Sequence, residues 1–183
     1  MIKKLTVGKI LAAVFLWEVC IGTAYAVDPV SSFEQIIFHG KSAVDQSTLV
    51  IFNEKKSTWL KRRYTVSGMK YDVKKTDSLV SPVIAQVKFY LIDDYALPFQ
   101  SKEEAEAASD YDPKLENTNE VTLNYAFTSN KWIFNGGNWV SIWAKKFNET
   151  NNKYPITSTF QINPDNLTPE KETVHWAVIR FLP

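Results

Sequence analysis

Val83-Ile84-Ala85-Gln86-Val87-Lys88-Phe89-Tyr90-Leu91 is the stretch on which the reading of this chain turns. Val83, Ala85, Val87, Phe89 and Leu91 alternate with Ile84, Gln86, Lys88 and Tyr90. Side chains of an extended backbone point to opposite faces in turn, so the alternation predicts a long strand with one apolar face. Upstream, Tyr64 and Val66 alternate, then Met69, Tyr71 and Val73 alternate in a shifted phase, with Gly68 at the shift. One extra residue beside a glycine is how a β-bulge reads in sequence. Lys74-Lys75-Thr76-Asp77-Ser78 is a polar turn, and the two segments predict an antiparallel pair.

Downstream, Val121, Leu123, Tyr125 and Phe127 alternate with Thr122, Asn124 and Ala126. A turn over Thr128-Ser129-Asn130-Lys131 leads to Trp132-Ile133-Phe134, a second hairpin. Asn135-Gly136-Gly137-Asn138 predicts another turn, and Trp139-Val140-Ser141-Ile142-Trp143 suits either a strand or a helix. A polar loop over 148–153 precedes a strand through Ile156, Ser158, Phe160 and Ile162. Thr168-Pro169-Glu170 suits a helical turn, and the apolar run from Val174 to Phe181 predicts a final strand.

One or two short helices are expected. In the first, from Pro29 to Phe38, Ser31 and Glu34 have capping-box spacing, Phe33, Ile36 and Ile37 share a face, and Gly40 is the stop. The second runs from Ser101 to Ala108, with a capping box at Ser101 and Glu104 and only alanines on its apolar face. Residues 48–52 suit either a buried strand or an extension of the first helix. The expected class is α+β, with five to seven strands in an antiparallel sheet. A helix ahead of long meandering strands favours a curved antiparallel sheet wrapped on a short N-terminal helix. A β-sandwich is the alternative.

The ends bound the cellular setting. Lys3, Lys4 and Lys9, an apolar run from Ile10 to Trp17, and Thr23-Ala24-Tyr25-Ala26 are the three parts of a secretory signal. A membrane anchor needs roughly 20 apolar residues, and Glu18 interrupts this run. Lipidation at Cys20 is disfavoured by Val19 before it. Cleavage after Ala26 is expected, giving a signal peptide over 1–26 and one β-rich domain over 27–183, exported to the periplasm or the extracellular space. Export removes Cys20, the only cysteine, and with it disulfides and thiol chemistry. Loss of Lys3, Lys4, Lys9 and Glu18 moves the formal charge from +1 to −1. A near-neutral chain lacks the field that gathers nucleic acid, so no nucleic acid partner is expected. No membrane span is expected after cleavage. A disulfide-free exported domain of this size favours a bacterial source.

Tyr71 to Pro82, the strand to Leu91, and the Leu123–Phe127 and Lys131-Trp132 hairpin share an arrangement. It resembles small secreted bacterial proteins of cystatin-like or NTF2-like fold, mostly of unknown function. The resemblance covers residues 57–134. The Gln-x-Val-x-Gly loop of cystatin inhibitors is absent, so protease inhibition is not implied, and no polar residue of an NTF2-like cone can be matched.

The candidate chemistry is sparse. His39 and His175 lack metal-ligand spacing, and no metal or other cofactor is expected. His39 suits the end of the first helix, where a cation favours the dipole. No G-x-S-x-G, P-loop or dinucleotide glycine pattern occurs. Asp93-Asp94 and Glu103-Glu104 read as solvated charge, and Asp110-Tyr111-Asp112 lacks the further ligands of a calcium loop. Lys61-Arg62-Arg63, between Trp59 and Tyr64, reads as a charged edge that discourages strand addition, with anionic sugar or nucleic acid binding as the alternative.

Aromatic content is the most unusual feature. Trp132, Trp139 and Trp143 cluster around Gly136-Gly137 and Asn138, and indoles beside amides suit a sugar or peptide surface. Core packing is the competing role: it is favoured for Trp132 and Trp176, which fall in alternating strands, and evenly matched for Trp139 and Trp143. The leading expectation is a non-enzymatic secreted binding module using Trp132, Trp139, Trp143 and Asn138 for a protein or glycan partner. The alternatives are an NTF2-like pocket enzyme and an envelope accessory subunit whose edge strand pairs with a protein. Oligomeric state is left open.

Overall fold

The computed structural model describes residues 27–96, 98–111, 117–142, 159–168 and 174–183. The expected signal peptide therefore lies outside the described residues. The architecture is α+β, one six-stranded antiparallel sheet with helices packed on it. Strand order follows the chain: β1 (Thr48–Asn53), β2 (Thr58–Lys75), β3 (Val83–Tyr95), β4 (Asn117–Thr128), β5 (Lys131–Ser141) and β6 (Thr159–Ile162). Among the described residues there is one sheet, not the two of a sandwich.

Helix α1 (Pro29–Asp45) starts earlier than the Ser31–Glu34 box places it and ends later than Gly40. Its cap is Asp28, whose carboxylate accepts from the Ser31 N–H at 3.0 Å and from the Ser31 hydroxyl at 2.6 Å. Asp-Pro supplies a cap and a preset first turn three residues ahead of the Ser31–Glu34 box. Gly40 does not stop the helix. It is buried, and a Cβ there would sit 2.7 Å from the Phe181 ring and 2.8 Å from the Arg180 carbonyl. The glycine allows close packing rather than termination, so His39 is exposed in mid-helix and caps nothing. Phe33, Ile37, Gly40 and Val44 form the buried stripe.

The strands repeat the predicted alternation. The bulge at Gly68 is present, with φ +59° and a register jump from Ser67 opposite Tyr90 to Lys70 opposite Lys88. It returns Tyr71 and Val73 to the face of Tyr64 and Val66. Ser129 and Asn130, at φ 51° and 60°, close the β4–β5 hairpin. The Asn135–Asn138 stretch differs from expectation. It stays inside β5 as a second bulge, where Asn135 and Gly136 face Asn124. Gly136 takes φ +91°, and a Cβ at Gly137 would lie 2.1 Å from the Thr122 carbonyl. The two glycines serve a bulge and a close strand approach, so the chain runs straight on to Trp139.

The chain end also differs. Val174–Val178 is helix α3, followed by a 3₁₀ turn at Ile179–Phe181, rather than a strand. A continuous apolar run does not distinguish a buried helix from a buried strand. Here the sheet needs cover. Trp176 stacks on Tyr64, Phe181 stacks on Phe89 at 4.7 Å, and the Tyr125 hydroxyl donates to the Phe181 carbonyl at 2.9 Å. Together α1 and the C-terminal segment bury one face of the sheet, the inner face. On the other, open face, the short helix α2 (Lys102–Ala107) lies over the β1–β2 end, with the expected Ser101–Glu104 capping box.

Candidate functional site

Register assigns each candidate residue to a face. Trp132 lies opposite Phe127 on the inner face, 4% exposed, and its indole N–H donates to the Pro29 carbonyl and the Ser32 hydroxyl, both at 3.1 Å. It is a core residue that fastens the start of α1, which removes it from any exposed aromatic surface. Trp139 also points inward, opposite Val121 and Phe160, and stacks on Phe160 at 4.2 Å. Asn138, one residue away, points to the open face, opposite Thr122 and Gln161. Trp143 lies outside the described residues. The structure does not bring Trp132, Trp139 and Asn138 together.

The basic run is not a guarded edge either. β1 adds outside β2, so β2 is an inner strand. Arg62 reaches across to Asp93 through two bonds, Nε to Oδ1 at 2.8 Å and Nη2 to Oδ2 at 2.5 Å. Tyr95 donates its hydroxyl to the same carboxylate at 2.8 Å, and the guanidinium lies 4.6 Å from the Tyr95 ring centre. Burial works to lower the Arg62 pKa, but the hydrogen bond and charge of Asp93 outweigh it, and the net shift is upward. Arg62 also lines a pocket of about 430 Å³ beside β1, with Ile51, Asn53 and Leu60. Asp93 is 2% exposed and both its oxygens are engaged, which suits it to holding Arg62 across two strands. On the open face, Arg63 pairs with Asp94 at 2.7 Å, and Lys61 donates to carbonyls of Glu106 and Ala108 at the end of α2.

The open face of β2–β6 has a different chemistry. The positions between the apolar ones form rows across the sheet. One row is Asp72, Gln86 and Asn124, the next Lys70, Lys88, Thr122, Asn138 and Gln161. Gln86 donates to Asn124 at 2.8 Å, which uses one donor and one acceptor and leaves the Gln86 carbonyl and the Asn124 N–H₂ for another molecule. The β5 bulge opens a dent of about 300 Å³ here, lined by Asp72, Lys74, Ile84, Gln86, Asn124 and Asn135. Tyr90, 44% exposed, stands on the same face, where Gly68 leaves room for its ring: a Cβ there would approach it to 3.0 Å. Lys70 and Lys88 stand directly opposite each other, both exposed, an arrangement that costs stability in a sheet.

The signal for this face was in the sequence as the polar half of the alternation. Asn138 is its only member among the expected site residues. Among the described residues, no group of three or more His, Cys, Asp or Glu is placed to hold a metal, and no helix is long and apolar enough to cross a membrane. No family model, no curated protein and no solved structure matches this chain.

Proposed function

We propose that the protein is an exported, non-enzymatic binding module whose open sheet face takes an acidic glycan. The carrying observation is the row of amides at Gln86 and Asn124 beside the opposed lysines Lys70 and Lys88. The bonded pair offers the Gln86 carbonyl as acceptor beside the Asn124 N–H₂ as donor, which matches sugar hydroxyls. Two cations held at one register position match carboxylates along a chain, and the bound anion would relieve their repulsion. Tyr90 supplies a flat apolar ring for a sugar face. The near-neutral total charge supports a local site over general attraction to polyanions. The sheet with its N-terminal helix is compatible with a cystatin-like or NTF2-like ancestry, and the Lys3–Ala26 segment supports export.

Calorimetric titration with galacturonic acid oligomers, with neutral cello-oligosaccharides as the comparison, tests this. Binding should favour the acidic oligomer and weaken with added salt. Lys88→Ala should lower affinity about tenfold or more, the range for a hydrogen bond to a charged group. The Gln86→Ala/Asn124→Ala variant should weaken both sugars while melting near the wild-type temperature. No uptake of the acidic oligomer, or uptake indifferent to these substitutions, overturns the reading.

A further inference from the structure

We infer that two copies of the chain associate through antiparallel pairing of their β1 strands, which uses the edge of the sheet rather than its open face. β1 bonds only to β2, and among the described residues no backbone hydrogen bond reaches its other side. Natural edges are shielded by charge, proline, brevity or cover. The opposite edge, β6, has such shielding, with four residues ending at Asn163-Pro164. β1 has none of it. Its sequence Thr48-Leu49-Val50-Ile51-Phe52-Asn53 carries no charge, proline or glycine, and Phe52 is 44% exposed. The cations that might have shielded it, Lys61, Arg62 and Arg63, lie one strand inward and are engaged with α2, Asp93 and Asp94. α2 lies over the open face of β1 and β2 and leaves the backbone edge unpaired.

Charge identifies a second copy as the occupant. β1 ends at the exposed tip Glu54-Lys55-Lys56, and it begins directly after α1, whose last turn holds no basic residue. Lys41 pairs with the Asp45 carboxylate there, and the partial negative charge of the last carbonyls is what faces a further cation. Antiparallel pairing about Val50 sets Thr48 opposite Phe52 and Leu49 opposite Ile51 on matching faces. It also carries Lys55 and Lys56 of each copy alongside residues 44–45 of the other. Two-fold symmetry makes this contact twice, and the result is one continuous sheet across both copies.

Light scattering of the full chain should give the dimer mass. Thr48→Lys/Phe52→Lys sets like charges opposite each other at two symmetric places and should weaken association about tenfold or more. Thr48→Lys/Phe52→Glu makes the same places complementary and should restore the dimer. Circular dichroism reports whether each variant folds. Should the double-lysine chain fail to fold, Val50→Cys on a Cys20→Ser background supplies the second measurement. Position 50 faces itself across the axis, at a Cα spacing of about 4.5–5.5 Å that a disulfide can span. Mild oxidation should then link two chains. A wild-type chain that stays monomeric at its highest soluble concentration overturns the inference. So does a dimer unaffected by the double lysine, or a Val50→Cys chain that does not cross-link.

Discussion

Replacing Asp93 with alanine removes a carboxylate side chain that is 3% exposed from an arginine side chain that is 13% exposed. Two guanidinium bonds and the Tyr95 hydroxyl bond are lost together. The guanidinium keeps its ring contacts with Tyr95 and Tyr64, at 4.6 and 5.2 Å, each worth about 0.5–2 kcal/mol. A guanidinium is not deprotonated in proteins, so without Asp93 the group stays charged and cannot escape by losing its proton. Breaking a buried pair from one side costs about 3–5 kcal/mol, and the ring contacts place this case near the lower figure. Against a total stability of about 5–15 kcal/mol, that is a fifth or more of the margin. Replacing both partners, as Arg62→Met/Asp93→Leu, removes the stranded charge and should return the chain to within about 1 kcal/mol of wild type. Urea denaturation measures both, and the titration with galacturonic acid oligomers should be unchanged in the double variant. A loss below about 1 kcal/mol for Asp93→Ala, or a double variant as unstable as the single, would refute the structural role given to this pair. A stable double variant that no longer binds would move the site from the open face to the inner cluster.

Gly40→Ala sets two effects against each other. Helix propensity favours alanine by about 1 kcal/mol, while overpacking against Phe181 and the Arg180 backbone costs about 1–3 kcal/mol. The backbone oxygen cannot rotate away, so the variant should melt lower, as thermal denaturation would show; a higher melting temperature contradicts the packing of α1 on the chain end. Burial raises the Tyr125 pKa above its ordinary value of 10.0. The unfolded chain therefore loses this proton first, so the stability Tyr125 contributes is complete below pH 10 and falls as pH rises above it. The fall should approach about 1.4 kcal/mol per pH unit, and Tyr125→Phe should remove that slope while costing about 1 kcal/mol at neutral pH. An unchanged alkaline slope in Tyr125→Phe denaturation curves would assign the effect to other groups.

Local rules carried the strands well because alternation and turn chemistry act over a few residues. Gly68 was readable as a bulge since the phase shift in Tyr64, Val66, Met69, Tyr71 and Val73 surrounds it on both sides. Gly40 and the Val174–Phe181 run depart from their local signals for one shared reason. Each is explained by the other, across about 140 residues of chain, through the Phe181 ring over the Gly40 backbone. A contact of that separation leaves no local pattern, so the glycine looked like a stop and the apolar run like a strand.

The candidate site shows how a single inserted residue redirects a functional reading. Trp132 and Trp139 are seven positions apart, and in a regular strand an odd spacing puts them on opposite faces. The bulge at Asn135-Gly136 adds one residue, so both indoles turn to the inner face and Asn138 is left on the open one. An aromatic cluster in sequence thus becomes a core anchor at Trp132, a stacked edge pair at Trp139, and a separate amide surface. The glycines taken for a reversal are what make this division. The same bulge forms the dent between Gln86, Asn124 and Asn135, so the feature that takes Trp132 and Trp139 off the open face also shapes the face proposed to bind glycan.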